Sequence, residues 1–163
     1  MENELPSEPP RTPQQNDLLN LCRALNAQGA QYIVIGGMAI IQHGFLRATE
    51  DIDLLLEKSR ENQVRACAAL ETLPDKAVRE MEEDDLDRYL VVRVADDIVV
   101  DLMLSACGVS YEEASREIET VTIDGVAIPF ASVRLLLKMK QTVRARDAID
   151  RHFLEQKLRE QKR

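Results

Sequence analysis

Hydrophobic and polar residues follow two periods along this chain, one typical of helices and one typical of strands. After Asn16 or Asp17, either of which can cap a helix, apolar residues recur at helical spacing until Gly29. An apolar run at residues 32–35 and a second at residues 51–56, which has two carboxylates inside it, then predict two strands. The chain is therefore expected to begin with a helix and to continue into a β-sheet.

The remaining pattern predicts two β-hairpins and several further helices. The hairpins turn at Asp96-Asp97 and at Asp124-Gly125, and Pro129 is expected to end the pairing of the second. Helices are predicted at residues 38–42, 60–73, 111–118, 133–142 and 145–161. The last helix mixes charges of both signs, which is typical of a solvated helix, and a patch that binds an RNA acceptor is the alternative.

This order of elements predicts one α/β (α+β) domain, with a small mixed β-sheet flanked by helices and with C-terminal helices. A chain of 163 residues suits a single domain of this kind. We place the domain at residues 16–163. Residues 1–15 hold four prolines among polar residues, and we expect them to form a disordered tail.

Composition and charge argue against several classes of protein, namely general nucleic-acid-binding proteins, membrane proteins and secreted proteins. The formal net charge of −8 does not favour a general nucleic-acid-binding surface, and no apolar run approaches the ~20 residues that a membrane-spanning helix needs. The acidic, proline-rich N-terminus is unlike a signal peptide. The three cysteines form no C-x-x-C pair, which is typical of free thiols in a reducing compartment. We therefore expect a cytoplasmic protein with no membrane partner.

Two carboxylates stand inside the second predicted strand. Residues two apart in a strand face the same side, so Asp51 and Asp53 share one face while Ile52 and Leu54 take the other. Two neighbouring carboxylates repel each other unless a proton or a cation lies between them. The alternative is a strand end beside solvent. The pair indicates a site for a divalent cation with oxygen ligands.

A third carboxylate, Asp101, lies in a later apolar strand and shares a face with Val99 and Met103. If that strand lies beside the Asp51–Asp53 strand, three carboxylates converge. Such a cluster suits Mg²⁺, which takes oxygen ligands and leaves room for water and substrate phosphates. The alternative for Asp101 alone is a strand-edge residue near the predicted turn.

Two glycines follow the first strand. Gly36 and Gly37 allow a ligand to approach the backbone closely, and the N–H groups that begin a helix bind anions such as a triphosphate. An ordinary strand-to-helix turn would also use them. Arg47 and Thr49, in the loop before Asp51, can contact phosphates or lie in a solvated loop.

The glycine pair, the Asp51-Ile-Asp53 strand and the later Asp101 together resemble the nucleotidyltransferase fold of the DNA polymerase β-like superfamily. The segment from Arg47 to Leu55 most resembles small bacterial proteins related to AbiEii-type nucleotidyltransferase toxins. The helical segment at residues 135–150 is similar to the family segment in which a lysine precedes a basic residue and an aspartate. The resemblance covers roughly residues 16–155.

The resemblance implies a role for each matched position. Asp51, Asp53 and Asp101 would be the catalytic metal ligands, and Asp101 would help to deprotonate the acceptor. Gly36 and Gly37 would hold the triphosphate, and Lys140 would reach the nucleotide phosphates. Asp147 would be a second polar position of the family type, and it completes the predicted nucleotide-binding set with Arg47 and Thr49. Lys138 competes with Lys140, because only one of two residues that lie two apart in a helix can face the site. Gly37 stands where many superfamily members have serine, so no hydroxyl assists there.

The implied function is a Mg²⁺-dependent nucleotidyltransferase. It would move a nucleoside monophosphate from an NTP to an acceptor hydroxyl on RNA, protein or a small molecule, in a toxin–antitoxin setting or alone. The alternative is a module of the same fold that binds a partner protein without turnover. Neither the base of the NTP nor the acceptor follows from these residues.

Overall fold

The computed structural model describes residues 8–140 and 145–162, and its centre is a mixed β-sheet. The strands are β1 (Tyr32–Ile35), β2 (Asp51–Leu56), β3 (Val92–Ala95), β4 (Val99–Met103), β5 (Ser105–Ala106), β6 (Val109–Ser110), β7 (Ile118–Ile123) and β8 (Val126–Ala131). Six of them form one sheet in the order β3-β4-β2-β1-β8-β7, and β5 and β6 form a separate small hairpin.

Helices flank this sheet. They are α1 (Gln15–Ala27), α2 (Gly36–Gln42), α3 (Arg60–Leu70), α4 (Asp85–Arg88), α5 (Tyr111–Ala114), α6 (Val133–Met139) and α7 (Ala145–Gln161). Single 3₁₀ turns occur at Ala77–Glu80 and Ser115–Glu117. The predicted fold class, a small mixed sheet flanked by helices with C-terminal helices, is confirmed.

Strand direction decides which side chains meet. β2 is antiparallel to β1 and parallel to β4, so Asp53 lies opposite Ile35 on one side and Asp101 on the other. β3 is antiparallel to β4 and forms one edge of the sheet, with Arg93 opposite Asp101. β1 and the apolar residues of β2 are buried among the helices, and this packing fixes the β2–β4 register.

Several local predictions are confirmed and others are wrong. β1, β2 and α7 have the predicted bounds. The predicted cap at Asn16 or Asp17 is wrong, because α1 begins at Gln15 with Gln14 as its cap. Asp17 serves instead as the acidic partner of a capping box and accepts a hydrogen bond of 2.7 Å from the Gln14 backbone N–H.

The second hairpin continues past its proline. Pro129 lies opposite Thr120, and the pairing runs on to Ile118 and Ala131, so the prediction that Pro129 ends it is wrong. A single register pair, Val34 with Phe130, joins β8 to β1. Proline lacks the backbone N–H that would donate to a neighbouring strand. It is therefore tolerated in β8, whose pairing with β1 is this short.

Four predicted helices have different bounds in the structure. The helix predicted at residues 38–42 begins earlier, at Gly36, and the helix predicted at 60–73 ends at Leu70. The helix predicted at 111–118 ends as a 3₁₀ turn, and Ile118 already belongs to β7. α6 has the expected cap, Ser132, and ends at Met139, while residues 141 and 142 of its predicted range lie outside the described residues.

The predicted tail is described only from residue 8 onward. Residues 8–14 form neither helix nor strand, and Arg11 joins them to the domain. Its guanidinium pairs with Asp17 at 2.7 Å and with Asp97 at 2.9 Å, and its backbone N–H donates to the Asp97 carbonyl at 2.9 Å. A disordered tail remains a prediction for residues 1–7, which lie outside the described residues. Within the described part of the chain, no helix is both long and apolar enough to cross a membrane.

Candidate active site

Three carboxylates converge on one face of the sheet. Asp51 and Asp53 project from β2, and Asp101 projects from the neighbouring strand β4 in register with Asp53. One oxygen from each carboxylate lies within 4.8 Å of those from the other two. Alternation predicted the faces of these side chains, and the condition for their convergence, that the two strands are neighbours, is met in the structure.

Asp53 has the most perturbed environment of the three. Burial, reinforced by the negative charges of Asp51 and Asp101, raises the pKa of Asp53 from 3.8 to about 7. The positive charges of Lys140 and Arg93 oppose this shift without cancelling it. In the absence of a metal, Asp53 therefore gains and loses its proton near neutral pH, and a bound cation would favour its ionised form.

The three residues fit a hard divalent cation. All three offer carboxylate oxygens, which are the ligands that Mg²⁺ prefers, and none offers the nitrogen or sulfur that zinc and other softer metals select. The backbone of Gly36 packs directly against the Asp53 side chain and leaves no room between them for a further side chain. These residues could hold Mg²⁺ and still leave coordination positions for substrate oxygens.

The glycine pair lets the start of α2 contact the carboxylate strand closely. Gly36 has a φ of +67°, and a Cβ there would overlap the Asp53 carboxylate. A Cβ at Gly37 would overlap the hydroxyl of Thr49, which lies 3.1 Å from the Asp51 carbonyl and donates to it. Glycine is required at both positions because the backbone approaches side chains of the site without space for a Cβ.

A cluster of buried ion pairs also contributes to the site. Lys140 Nζ is 2.9 Å from Asp147 Oδ1 and 3.3 Å from Asp150 Oδ2, and Arg47 Nε is 3.4 Å from Asp150 Oδ1. Both carboxylates are buried. Lys138 instead extends to Glu117 at 3.0 Å and is far more exposed than Lys140. Of the two candidate lysines, Lys140 is the one that contributes to the site.

The nine predicted site residues line one cleft of about 520 Å³. They are Gly36, Gly37, Arg47, Thr49, Asp51, Asp53, Asp101, Lys140 and Asp147. The volume is in the range of ordinary small-molecule sites. The cleft combines carboxylates that suit a cation with lysine, arginine and helix-start N–H groups that suit an anion, so it can accommodate a metal-bound polyphosphate.

Two residues of the site escaped the sequence prediction. Arg93 contacts Asp101 through two hydrogen bonds of 3.0 Å and reaches Asp51 at 3.4 Å. Asp150 joins Arg47 and Lys140, as described above. The available signal for Asp150 was its spacing of three residues after Asp147, which places both carboxylates on one face of a helix.

Comparisons with known proteins show a family and a shared fold. The sequence profile of the family described as aminoglycoside-2''-adenylyltransferase matches residues 17–155. A crystal structure from Thermotoga maritima at 1.87 Å resolution, described as a candidate nucleotidyltransferase, is similar with a TM-score of 0.51 and 16% sequence identity. The similarity covers 92% of this chain and 95% of that chain, and it shows the shared fold. A comparison with curated proteins finds no significant match.

Proposed function

We propose that this chain, which belongs to the aminoglycoside-2''-adenylyltransferase family, uses Mg²⁺ to transfer a nucleoside monophosphate from an NTP to an acceptor hydroxyl. Its family makes it a nucleotidyltransferase, while the metal, the nucleotide and the acceptor are parts of the proposal. One observation supports it above the others. The carboxylates of Asp51, Asp53 and Asp101 converge in a cleft that also holds Lys140 and Arg47.

Asp51, Asp53 and Asp101 are the proposed metal ligands. Mg²⁺ bound to them would polarise the α-phosphate and offset the charge that develops on the leaving pyrophosphate. The raised pKa of Asp53, about 7, supports this assignment, since the carboxylate group is suited to a cation that replaces its proton.

The triphosphate is proposed to occupy the part of the cleft lined by the start of α2, Arg47 and Lys140. Backbone N–H groups at Gly36 and Gly37, which begin α2 and line the cleft, suit phosphate oxygens. Arg47 lines this part of the cleft and supplies a positive charge for the phosphates, while its Nε lies 3.4 Å from Asp150 Oδ1. Thr49 and Asp147 are proposed to hold this wall in position.

The transfer step is a displacement at the α-phosphorus of the NTP. The acceptor oxygen forms a new bond to that phosphorus, and the bond to the bridging oxygen breaks as pyrophosphate leaves. The acceptor proton passes to a carboxylate of the site, for which we propose Asp101. Asp101 is held by two hydrogen bonds from Arg93 and is therefore oriented before the substrate arrives.

A small polycationic molecule with hydroxyl groups is the acceptor class that we favour over RNA or protein. The description of the family names an aminoglycoside. The net charge of −8 favours a cationic acceptor over a polyanionic one. Glu50 is an exposed carboxylate on the cleft wall beside the metal-binding residues, and it can pair with an amine.

The experiment uses NTP labelled at the α-phosphate, Mg²⁺ and candidate acceptors of three kinds, namely an aminoglycoside mixture, total RNA and a protein extract. Label that transfers to one acceptor class, with wild type but not with Asp51→Ala/Asp53→Ala, would support the proposal. NTP labelled at the γ-phosphate is the control, since its label must leave with pyrophosphate. Equal transfer by the double variant would contradict the assigned site.

A second candidate is a partner-binding module, in the toxin–antitoxin setting that the AbiEii-type resemblance suggests. Three consecutive apolar residues, Tyr89, Leu90 and Val91, are exposed, and Leu90 is 81% exposed. Leu90 and Val91 also line the cleft. Such a surface suits a partner protein that covers the site. A partner protein that co-purifies equally with wild type and with Asp51→Ala/Asp53→Ala, and not with Leu90→Asp, would support this module. Transfer activity in the wild type without any such partner would contradict it.

A further inference from the structure

Arg93 is a positive charge within the proposed metal site. Its Nε and Nη2 atoms each lie 3.0 Å from an oxygen of Asp101, and Nη2 is 3.4 Å from Asp51 Oδ2. Two of the three carboxylates that could bind a metal are therefore paired with one guanidinium. A bidentate pair of this kind is among the stronger interactions between side chains.

The side chain of Arg93 can leave the carboxylates easily. It belongs to the edge strand β3, and 62% of it is exposed. Its rotation toward solvent would open no cavity in the core, because the residues on either side of it, Val92 and Val94, supply the buried face of the strand. The guanidinium is positively charged at all accessible pH values. While it pairs with Asp101 and Asp51, it therefore repels a metal cation that approaches these carboxylates.

We propose that Arg93 competes with the divalent cation for Asp101 and Asp51, so that free metal binds weakly and metal loading is coupled to nucleotide. This inference rests on the proposed function. The triphosphate oxygens provide an alternative partner for the guanidinium, since Arg93 lines the same cleft as the phosphate-binding residues. A metal–nucleotide complex would then displace Arg93 from the carboxylates, whereas the free metal has no anion to offer it.

Charge counting supports this coupling. Three ionised carboxylates carry a formal charge of −3, and the paired guanidinium reduces it to −2, so Arg93 weakens the attraction of these carboxylates for a free divalent cation. A second cation, as in two-metal phosphoryl transfer, would require the negative charge of the triphosphate. Arg93 therefore acts as a positioning residue that protects the site from metal loading without substrate.

The test measures binding of Mn²⁺, as a spectroscopic substitute for Mg²⁺, by electron paramagnetic resonance at pH 8. Arg93→Gln should bind Mn²⁺ about tenfold more tightly than wild type without nucleotide, the size expected when one nearby positive charge is removed. A non-hydrolysable NTP analogue should increase Mn²⁺ affinity strongly in wild type and much less in Arg93→Gln. Arg93→Lys keeps the charge, loses the bidentate geometry and should lie between them.

Arg79→Gln is the matched control. Arg79 is 61% exposed and forms one ion pair with Glu71, outside the cleft, so the variant has the same change of charge at the same exposure. The inference is overturned if Arg93→Gln binds Mn²⁺ no more tightly than Arg79→Gln while both bind metal and nucleotide, and the proposed function then survives. If wild type and Arg93→Gln bind no Mn²⁺ with or without nucleotide, the proposed function and the inference both fail.

Discussion

Asp53 on β2 and Asp101 on β4 lie directly opposite each other in adjacent parallel strands. Their carboxylates belong to a cluster with Asp51 in which one oxygen of each lies within 4.8 Å of the others. Two negative groups this close are unfavourable without a counter-ion. The neighbouring strand supplies one in Arg93, which pairs with Asp101, whereas burial leaves Asp53 with a pKa raised to about 7.

The first prediction concerns pH and stability in the absence of metal. The pKa of Asp53 is about 7 in the folded protein and 3.8 ordinarily, so the folded state holds this proton more tightly. The resulting stabilisation is fully present below about pH 4 and is lost as the pH rises through about 7. In EDTA, Asp53→Asn should therefore match wild type near pH 4 and exceed it in free energy of unfolding by a few kcal/mol, roughly, at pH 8.

Urea unfolding at several pH values checks this prediction. Only the difference between the two proteins is interpreted, because other groups titrate in both. Added Mg²⁺ should raise the free energy of unfolding of wild type at pH 8 and should not raise that of Asp53→Asn. A difference between the proteins that does not vary with pH would show that Asp53 is not protonated near neutrality.

The second prediction concerns Gly36. Gly36→Ala should lose Mg²⁺-dependent NTP binding, because a Cβ there overlaps the Asp53 carboxylate. Gly29→Ala is the control, since Gly29 has nearly the same φ, +70° against +67°, and has open space around it. Both variants should lose about 1 kcal/mol from backbone strain, and only Gly36→Ala should lose binding in a calorimetric titration. Equal binding by both would contradict the role of this close contact.

The third prediction separates Lys140 from Lys138. Lys140→Met should weaken NTP binding about tenfold or more, since a charge-assisted contact to phosphate is lost. It should also lower the free energy of unfolding by roughly 3–5 kcal/mol, because the buried carboxylates of Asp147 and Asp150 both lose the positive charge of Lys140. Lys138→Met removes an exposed pair with Glu117 and should change stability by less than about 1 kcal/mol.

Fluorescence titration of a labelled NTP, at a temperature where both variants are folded, distinguishes the two lysines. If Lys140 is the phosphate-binding lysine, Lys138→Met should bind NTP as tightly as wild type does. A larger loss of binding in Lys138→Met than in Lys140→Met would reverse the assignment of the phosphate-binding lysine.

The fourth prediction concerns Asp96, which fixes the turn between β3 and β4. Burial raises the pKa of Asp96, but hydrogen bonds from the backbone N–H groups of Ala77, Asp75 and Asp97 outweigh burial and hold its pKa below the ordinary value. Its contribution to stability is therefore present above about pH 4 and lost as the pH falls. Asp96→Ala should lower the free energy of unfolding by about 3 kcal/mol at pH 7.

Asp97→Ala is a neighbouring control for that turn. Asp97 is partly exposed and pairs with Arg11 at the surface, so its removal should cost less than about 1 kcal/mol. Thermal and urea unfolding at pH 7 compare the two variants. Similar losses would mean that the three hydrogen bonds to Asp96 do not determine the stability of this turn.

Local patterns predicted which face of its strand each carboxylate occupies, whereas the pairing of β2 with β4 was only a condition of the predicted cluster. Alternation within β2 and β4 placed Asp51, Asp53 and Asp101 on consistent faces, and apolar continuity predicted the bounds of β1 and β2. These features depend on residues close together in sequence, for which side-chain period is a direct signal.

Arg93 could not be predicted, because its contact depends on strand register. A two-residue turn at Asp96-Asp97 would pair Arg93 with Val100 and place it on the wrong face. The structure has Ala95 opposite Val99, with a loop that includes Ile98, and this brings Arg93 opposite Asp101. A shift of one residue in register moves every side chain of a strand to the other face.

The buried face of α7 could not be predicted from the sequence either. Its charges suggested a solvated helix, yet Asp147 and Asp150 are buried while Ile149 is 62% exposed. The counter-charges come from Lys140 and from Arg47, which is about a hundred residues away in sequence. Such a buried ionic cluster overrides hydrophobic periodicity, and only tertiary structure brings its members together.

Asp51, Asp53 and Asp101 are proposed to bind the metal that holds an NTP in this cleft. Isothermal titration of each of the four NTPs, with Mg²⁺ and then with EDTA, tests this role on wild type and on Asp51→Ala/Asp53→Ala. Wild type should bind at least one NTP only when Mg²⁺ is present, and the double variant should bind none. NTP binding that persists in EDTA or in the double variant would contradict the metal site, and so would the absence of any binding by wild type.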